Sequence, residues 1–155
     1  MRAVQGMANA ILRGAAAGAA GTTALNTATY LDMLVRGRPA SSTPEETVET
    51  VAGQAGVEIP GEGDEQENRV SGAGPLLGIL AGVGVGVAYG TARALGWRPS
   101  LPVATVVTGV AAMGASAAPM ALAGVTDLRK WSAADWVSDL VPHLAYGLVT
   151  AATCR

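Results

Sequence analysis

Gly74-Pro-Leu-Leu-Gly78-Ile-Leu-Ala-Gly82-Val-Gly84-Val-Gly86-Val-Ala-Tyr-Gly90 is the stretch whose reading decides how this chain folds. Gly74, Gly78, Gly82, Gly86 and Gly90 recur at every fourth residue, and residues so spaced share a helix face. Leu, Ile and Val fill the other positions, so the pattern predicts an apolar helix with a groove of bare backbone along it. No charge interrupts the run from Val70 to Ala92, and ~20 residues of helix suffice to cross a bilayer. Glycines in this register serve close contact between helices, the packing mode that lipid favours because apolar burial no longer drives association there.

Working outward, three further segments are candidate spans. The four run over about 13–35, 71–94, 101–124 and 132–153. The first is uncharged from Gly14 to Leu31 and repeats the small-residue device with Gly14, Gly18 and Thr22. The third, uncharged from Pro99 to Thr126, supplies Gly109, Ala112, Gly114 and Ser116. The fourth opens on Ser132-Ala-Ala-Asp135, a capping box, and carries Asp135, Asp139 and His143. Trp97, Trp131 and Trp136 stand at segment ends, where aromatic side chains meet the membrane–water interface. The glycine faces join helices within the chain, or join it to a second copy or another membrane protein.

Residues 36–69 differ in kind, with three prolines and eight acids. Thr43-Pro44-Glu45-Glu46 reads as a helix start, with Thr43 capping, Pro44 at the first helical position and Glu46 completing the box. A short acidic helix to about Ala52 follows. Glu58–Arg69 reads as a solvated loop. The expected fold is therefore all-α: one membrane domain over 1–155, a polytopic four-transmembrane-helix bundle with a short acidic extramembrane helix.

Composition agrees. Half of the 155 residues are apolar and 14% are charged, against roughly 25% in soluble domains. A net charge of −2 gives no case for a nucleic-acid partner; the partner implied is the lipid bilayer. Arg2 and the small residues after it faintly resemble a signal peptide, but Arg13 interrupts the stretch and cleavage is not expected. A single cysteine, Cys154, excludes an internal disulfide and a cysteine metal cluster. With four spans, both termini share a side with Arg2, Arg13, Arg93, Arg98 and Arg155. The basic residues divide equally between the two sides, but all twelve acids belong to the other. The purely positive side is assigned to the cytoplasm.

Ionisable groups inside a span are functional suspects. Asp135, Asp139 and His143, four apart, form one stripe entering from the acidic side, and Tyr146 continues it. Asn26 and Tyr30 of the first segment fall at similar depth, so an Asn26–Tyr30–Asp139–His143 cluster is expected if those helices are neighbours. Such a cluster is either a proton- or ion-responsive site or a hydrogen-bonded network that fixes helix register. No catalytic residue, metal set or cofactor motif is found: one histidine with scattered acids is short of a zinc site. Gly82-Val-Gly84 lies within an apolar helix with no strand before it, unlike a dinucleotide loop.

Gly14-Ala-Ala-Ala-Gly18 through Tyr30-Leu31-Asp32, together with Pro142-His143-Leu-Ala-Tyr146-Gly147, resembles the YagU-like family of small bacterial inner-membrane proteins. The resemblance implies a multi-pass inner-membrane location and a link to acid resistance, with no established biochemical activity. The long acidic segment departs from that family. The function expected is a non-enzymatic structural or interaction component of the inner membrane; the alternative is a small proton- or ion-responsive conduit around His143.

Overall fold

Ala, Leu and Met are strong helix formers, and nothing breaks the chain before Gly37, so the first helix begins earlier than the sequence pattern implied. The computed structural model describes residues 2–155, with side chains from residue 4 onward; the side chain of Arg2 lies outside the described residues. α1 spans Arg2–Arg36, α2 Thr43–Gln54, α3 Asp64–Ala94, α4 Leu101–Leu122 and α5 Ala133–Thr153, with a 3-10 turn at Leu128–Lys130. The chain is all-α, with no strand among the described residues.

Two boundaries correct the sequence reading. Asp64–Arg69 is the first part of α3, not loop. Asp64, Glu65 and Glu67 occupy its first turn, where carboxylates meet the positive end of the helix dipole. Arg69 bonds Glu65 one turn back at 2.6 Å, and Gly63 takes the positive φ of 53° that turns the chain into the helix. At α2 the cap is Ser42, not Thr43: the Ser42 hydroxyl donates to Glu46 at 2.5 Å and accepts from no backbone N–H, while Ser41 Oγ accepts from the Thr43 N–H at 3.3 Å. At α5 the capping box forms as read, with Ser132 Oγ accepting from the Asp135 N–H and Asp135 accepting from the Ser132 N–H.

α1, α3, α4 and α5 close a ring of contacts, α1 on α3, α3 on α4, α4 on α5 and α5 on α1, while α2 lies against α3 and the end of α4. The α1–α3 seam is made by glycines. A Cβ on Gly14 would lie 2.5 Å from the Gly86 carbonyl oxygen, and one on Gly18 2.6 Å from that of Gly82. Gly90 meets Ala10 in the same way. Gly74 faces Pro44 of α2 instead, and a Cβ on Gly78 would meet nothing within 4 Å. The single groove expected along the helix is thus divided, for a geometric reason. At ~100° per residue, each four-residue step advances the stripe by about 40°, so Gly74 and Gly90 cannot face one straight partner. A second seam, between α4 and α5, rests on Gly109 and Gly147: a Cβ on Gly109 would lie 2.7 Å from the His143 carbonyl oxygen, and one on Gly147 would clash with that of Thr105.

The interior is built of small residues. Among the described residues, Ala17, Ala104, Ala112, Ala151 and Thr150 are buried; of the large side chains Tyr146 is fully buried and Tyr89 nearly so. Leucines, valines and isoleucines instead point outward, among them Leu76, Leu80, Val106, Val110, Val137 and Val141. α3 and α4 are long and apolar enough to cross a membrane, yet only 22% and 28% of their most apolar windows are buried. A soluble core helix of that hydropathy would hide most of such a window. α1 and α5 match the length of a span but are diluted by Gly, Thr, Asn and charged residues.

Candidate functional site: a histidine–carboxylate pair at the α4–α5 seam

Residues Asp139 and His143 lie one turn apart on α5, so their side chains share a face. That face looks at α4, because Gly109 and Gly147 let the two backbones close up. His143 is 7% exposed. Its Nδ1 lies 2.7 Å from the Asp139 carbonyl oxygen and 3.4 Å from Asp139 Oδ1. Both neighbours are oxygens without hydrogen, so Nδ1 is assigned the proton.

The second ring nitrogen, Nε2, stands 3.3 Å from Ser116 Oγ on α4. That hydroxyl also lies 3.0 Å from the Met113 carbonyl and 3.2 Å from that of Ala112. With neutral imidazole, Ser116 donates to Nε2. With imidazolium, Nε2–H donates to Ser116, whose own proton turns to a backbone carbonyl. Ser116 thus accommodates either protonation state of His143 by rotating one hydrogen.

Asp139 is less well served. Its Oδ2 is buried and has no hydrogen-bond partner among the described residues. A buried acceptor left unmade costs ~1–3 kcal/mol, more if charged. The pair is therefore one donor short, a shortfall that a proton on Asp139 or a small cation would remove. Pro142, buried between them, has no N–H for the Ser138 carbonyl, yet α5 continues through it.

The other expected members do not join. Tyr30 is 64% exposed. The hydrogen-bonding partners of His143 are Ser116 and Asp139, not Asn26. α1 and α5 run antiparallel, with Gly21 near Tyr146 and Arg36 bonding Ser138 at 2.6 Å, which puts Asn26 near the level of His143 along the bundle. The two lie on different faces, since α5 turns Tyr146 and Thr150 toward α1 and His143 toward α4. Asp135 is exposed and spent on the cap.

Tyr146 is a packing residue. Its ring lies over Gly82 and Gly21, and its hydroxyl donates to the Gly82 carbonyl at 2.6 Å. One side chain thereby ties α5 to both α1 and α3. Ser116 and Arg36 were not among the expected site residues. Ser116 was visible only as the third member of the Gly109, Ala112, Ser116 stripe, whose three-and-four spacing puts it on the face that packs on α5. Arg36 also meets Asp32 at 3.4 Å, and Arg38 meets it at 2.5 Å, closing a polar cluster where α1 ends.

Among the described residues, no three His, Cys, Asp or Glu side chains converge as a metal set would. No protein-family model, curated protein or solved structure matches this chain.

Proposed function

We propose that this chain is an integral membrane protein whose helices α1, α3, α4 and α5 all cross the bilayer, with the acidic 36–63 segment on one side and both termini in the cytoplasm. It acts there as a structural or interaction component of the bacterial inner membrane and not as an enzyme. One observation carries the reading: the side chains are distributed inside out, with Leu, Val and Ile exposed around a core of Gly, Ala and Thr. Hydroxyls on the outer surface support it. Thr23 and Thr27 donate to carbonyls four residues back at 3.1 and 2.8 Å, so neither of these two donors is unmet in hydrocarbon. The resemblance of the first and last helices to YagU-like proteins agrees with an inner-membrane setting.

The test is fractionation followed by topology mapping. The chain should stay with membranes through an alkaline wash; release into the aqueous phase would sink the reading. In a Cys154→Ser background, Gln5→Cys and Glu62→Cys should label with an impermeant maleimide from opposite sides. Labelling from the same side would remove α1 from the spans.

A second reading, a proton-responsive conduit, is favoured by the unpartnered Asp139 Oδ2 beside a histidine whose Ser116 contact tolerates either protonation state. It predicts proton flux into liposomes that His143→Leu abolishes. Equal flux from the two proteins would remove it.

A further inference from the structure

At the end of the bundle away from Asp139, arginines converge. A cleft of about 470 Å³ is lined by Asn9 and Arg13 of α1, Gly90 and Arg93 of α3, Arg98 of the following turn, and Arg155. The ion pairs among the described residues involve Arg36, Arg38, Arg69, Lys130 and His143; none engages these four. Like charges gathered in this way repel one another, more strongly where solvent is partly excluded. Arg93 is nonetheless held in place, its Nη1 donating to the Tyr89 Oη at 3.3 Å and its guanidinium 5.7 Å from the ring centre. The cleft is thus a built concentration of guanidinium groups, the side chain best suited to phosphate oxygens.

Its depth narrows the ligand. The uncharged run of α3 ends at Ala92, immediately before Arg93, and Trp97 packs edge-on against Tyr89 with ring centres 6.0 Å apart. An aromatic pair at a span end marks the headgroup layer. Next in sequence to the lining residues Arg13 and Ala94, Leu12 and Leu95 are exposed apolar side chains, a surface for acyl chains. Gly6, exposed and with open space where a Cβ would stand, is among the cleft's lining residues, so a headgroup can reach the backbone there. Basic pockets between spans on the cytoplasmic side commonly hold anionic headgroups.

We propose that this cleft binds the phosphate of an anionic glycerophospholipid, of the phosphatidylglycerol type, with Arg13, Arg93 and Arg98 as its ligands. The proposal rests on the membrane reading above. Phosphatidylcholine carries the same phosphate but neutralises it with its own cation, so charge alone distinguishes the two lipids.

The experiment is native mass spectrometry of the purified chain in neutral micelles, titrated with phosphatidylglycerol, phosphatidylcholine or inorganic phosphate. Wild type should retain phosphatidylglycerol over phosphatidylcholine by tenfold or more. At ~1 kcal/mol per arginine, the Arg13→Gln/Arg98→Gln double substitution removes a factor of roughly 25, enough to abolish a tenfold preference. Arg129→Gln, at the opposite end, should leave it intact. Equal retention of the two lipids by wild type overturns the proposal, and this comparison needs no variant to fold. So does an Arg129→Gln effect as large as that of the double variant, or displacement of the lipid by equimolar inorganic phosphate, which would make this a free-phosphate site. A chain that stays with membranes but shows no preference sinks this proposal alone; one found in the aqueous phase sinks the reading beneath it.

Discussion

Replacing Gly86 by Ala adds one methyl group at the tightest part of the α1–α3 seam. Its Cβ would lie 2.5 Å from Gly18 Cα and 2.6 Å from Gly18 N, where ordinary contact begins near 3.4 Å. Every opposing atom is backbone, so no rotamer change relieves the clash, and α1 and α3 must separate by about 1 Å to restore contact distances. That separation also opens the Gly14, Gly18, Gly82 and Gly90 contacts. Overpacking costs ~1–3 kcal/mol, and the upper half of that range is expected here. Gly78→Ala is the matched control, on the same helix with nothing within 4 Å of the new Cβ. It should change stability by less than ~0.5 kcal/mol, on the favourable side, because alanine is the better helix former.

The assay is reversible unfolding in mixed micelles with increasing sodium dodecyl sulfate, followed by circular dichroism. Equal midpoints for the two variants would refute the seam. An effect that grows on dilution of the protein would instead place the contact between copies of the chain.

Four other outcomes are expected. Tyr146→Phe deletes the bond to the Gly82 carbonyl and should cost about 1 kcal/mol in the same assay. Ser132→Ala removes the α5 cap and should cost ~1 kcal/mol. Gly109→Ala pushes on the His143 carbonyl and should break the Ser116 contact, seen as a changed Nε2 nitrogen shift; Gly114→Ala, in open space, should not. Cys154 is buried, and burial raises its thiol above the ordinary value against the pull of Arg93 and Arg13. Less thiolate is then present near neutrality, so maleimide labelling at pH 7.5 should be at least tenfold slower in the folded chain than after denaturation.

The helices were legible because their signals are local. Uncharged length marked α3 and α4, and Ser132 with Asp135 marked the start of α5. Boundaries set by compensation were harder to see. The acids of Asp64–Glu67 read as loop by composition, yet a helix N-terminus favours them and Arg69 offsets one. The glycine register told that α3 touches other backbones, but not that the stripe winds from α2 to α1. The site was half legible. Spacing put Asp139 and His143 on one face, and depth put Asn26 beside them, but rotation about the α5 axis decides which neighbour each face meets. That rotation follows from where Gly147 and Tyr146 fit, a property of the assembled bundle and not of α5 alone.

Packing and polar chemistry are joined at the α4–α5 seam. The atom that forbids a side chain on Gly109 is the carbonyl oxygen of His143, and the hydroxyl of Thr108, the residue before it, bonds the Ala104 carbonyl at 2.7 Å and lies 3.3 Å from that of Gly147. The closeness that satisfies these groups is the same closeness that brings Ser116 to His143. A larger residue at 109 or 147 would therefore remove the imidazole's partner on α4 before touching the imidazole itself. Small residues in this chain do more than let helices approach: they set the distance at which a buried histidine can exchange one hydrogen-bonding role for another, with Asp139 Oδ2 beside it still wanting a donor.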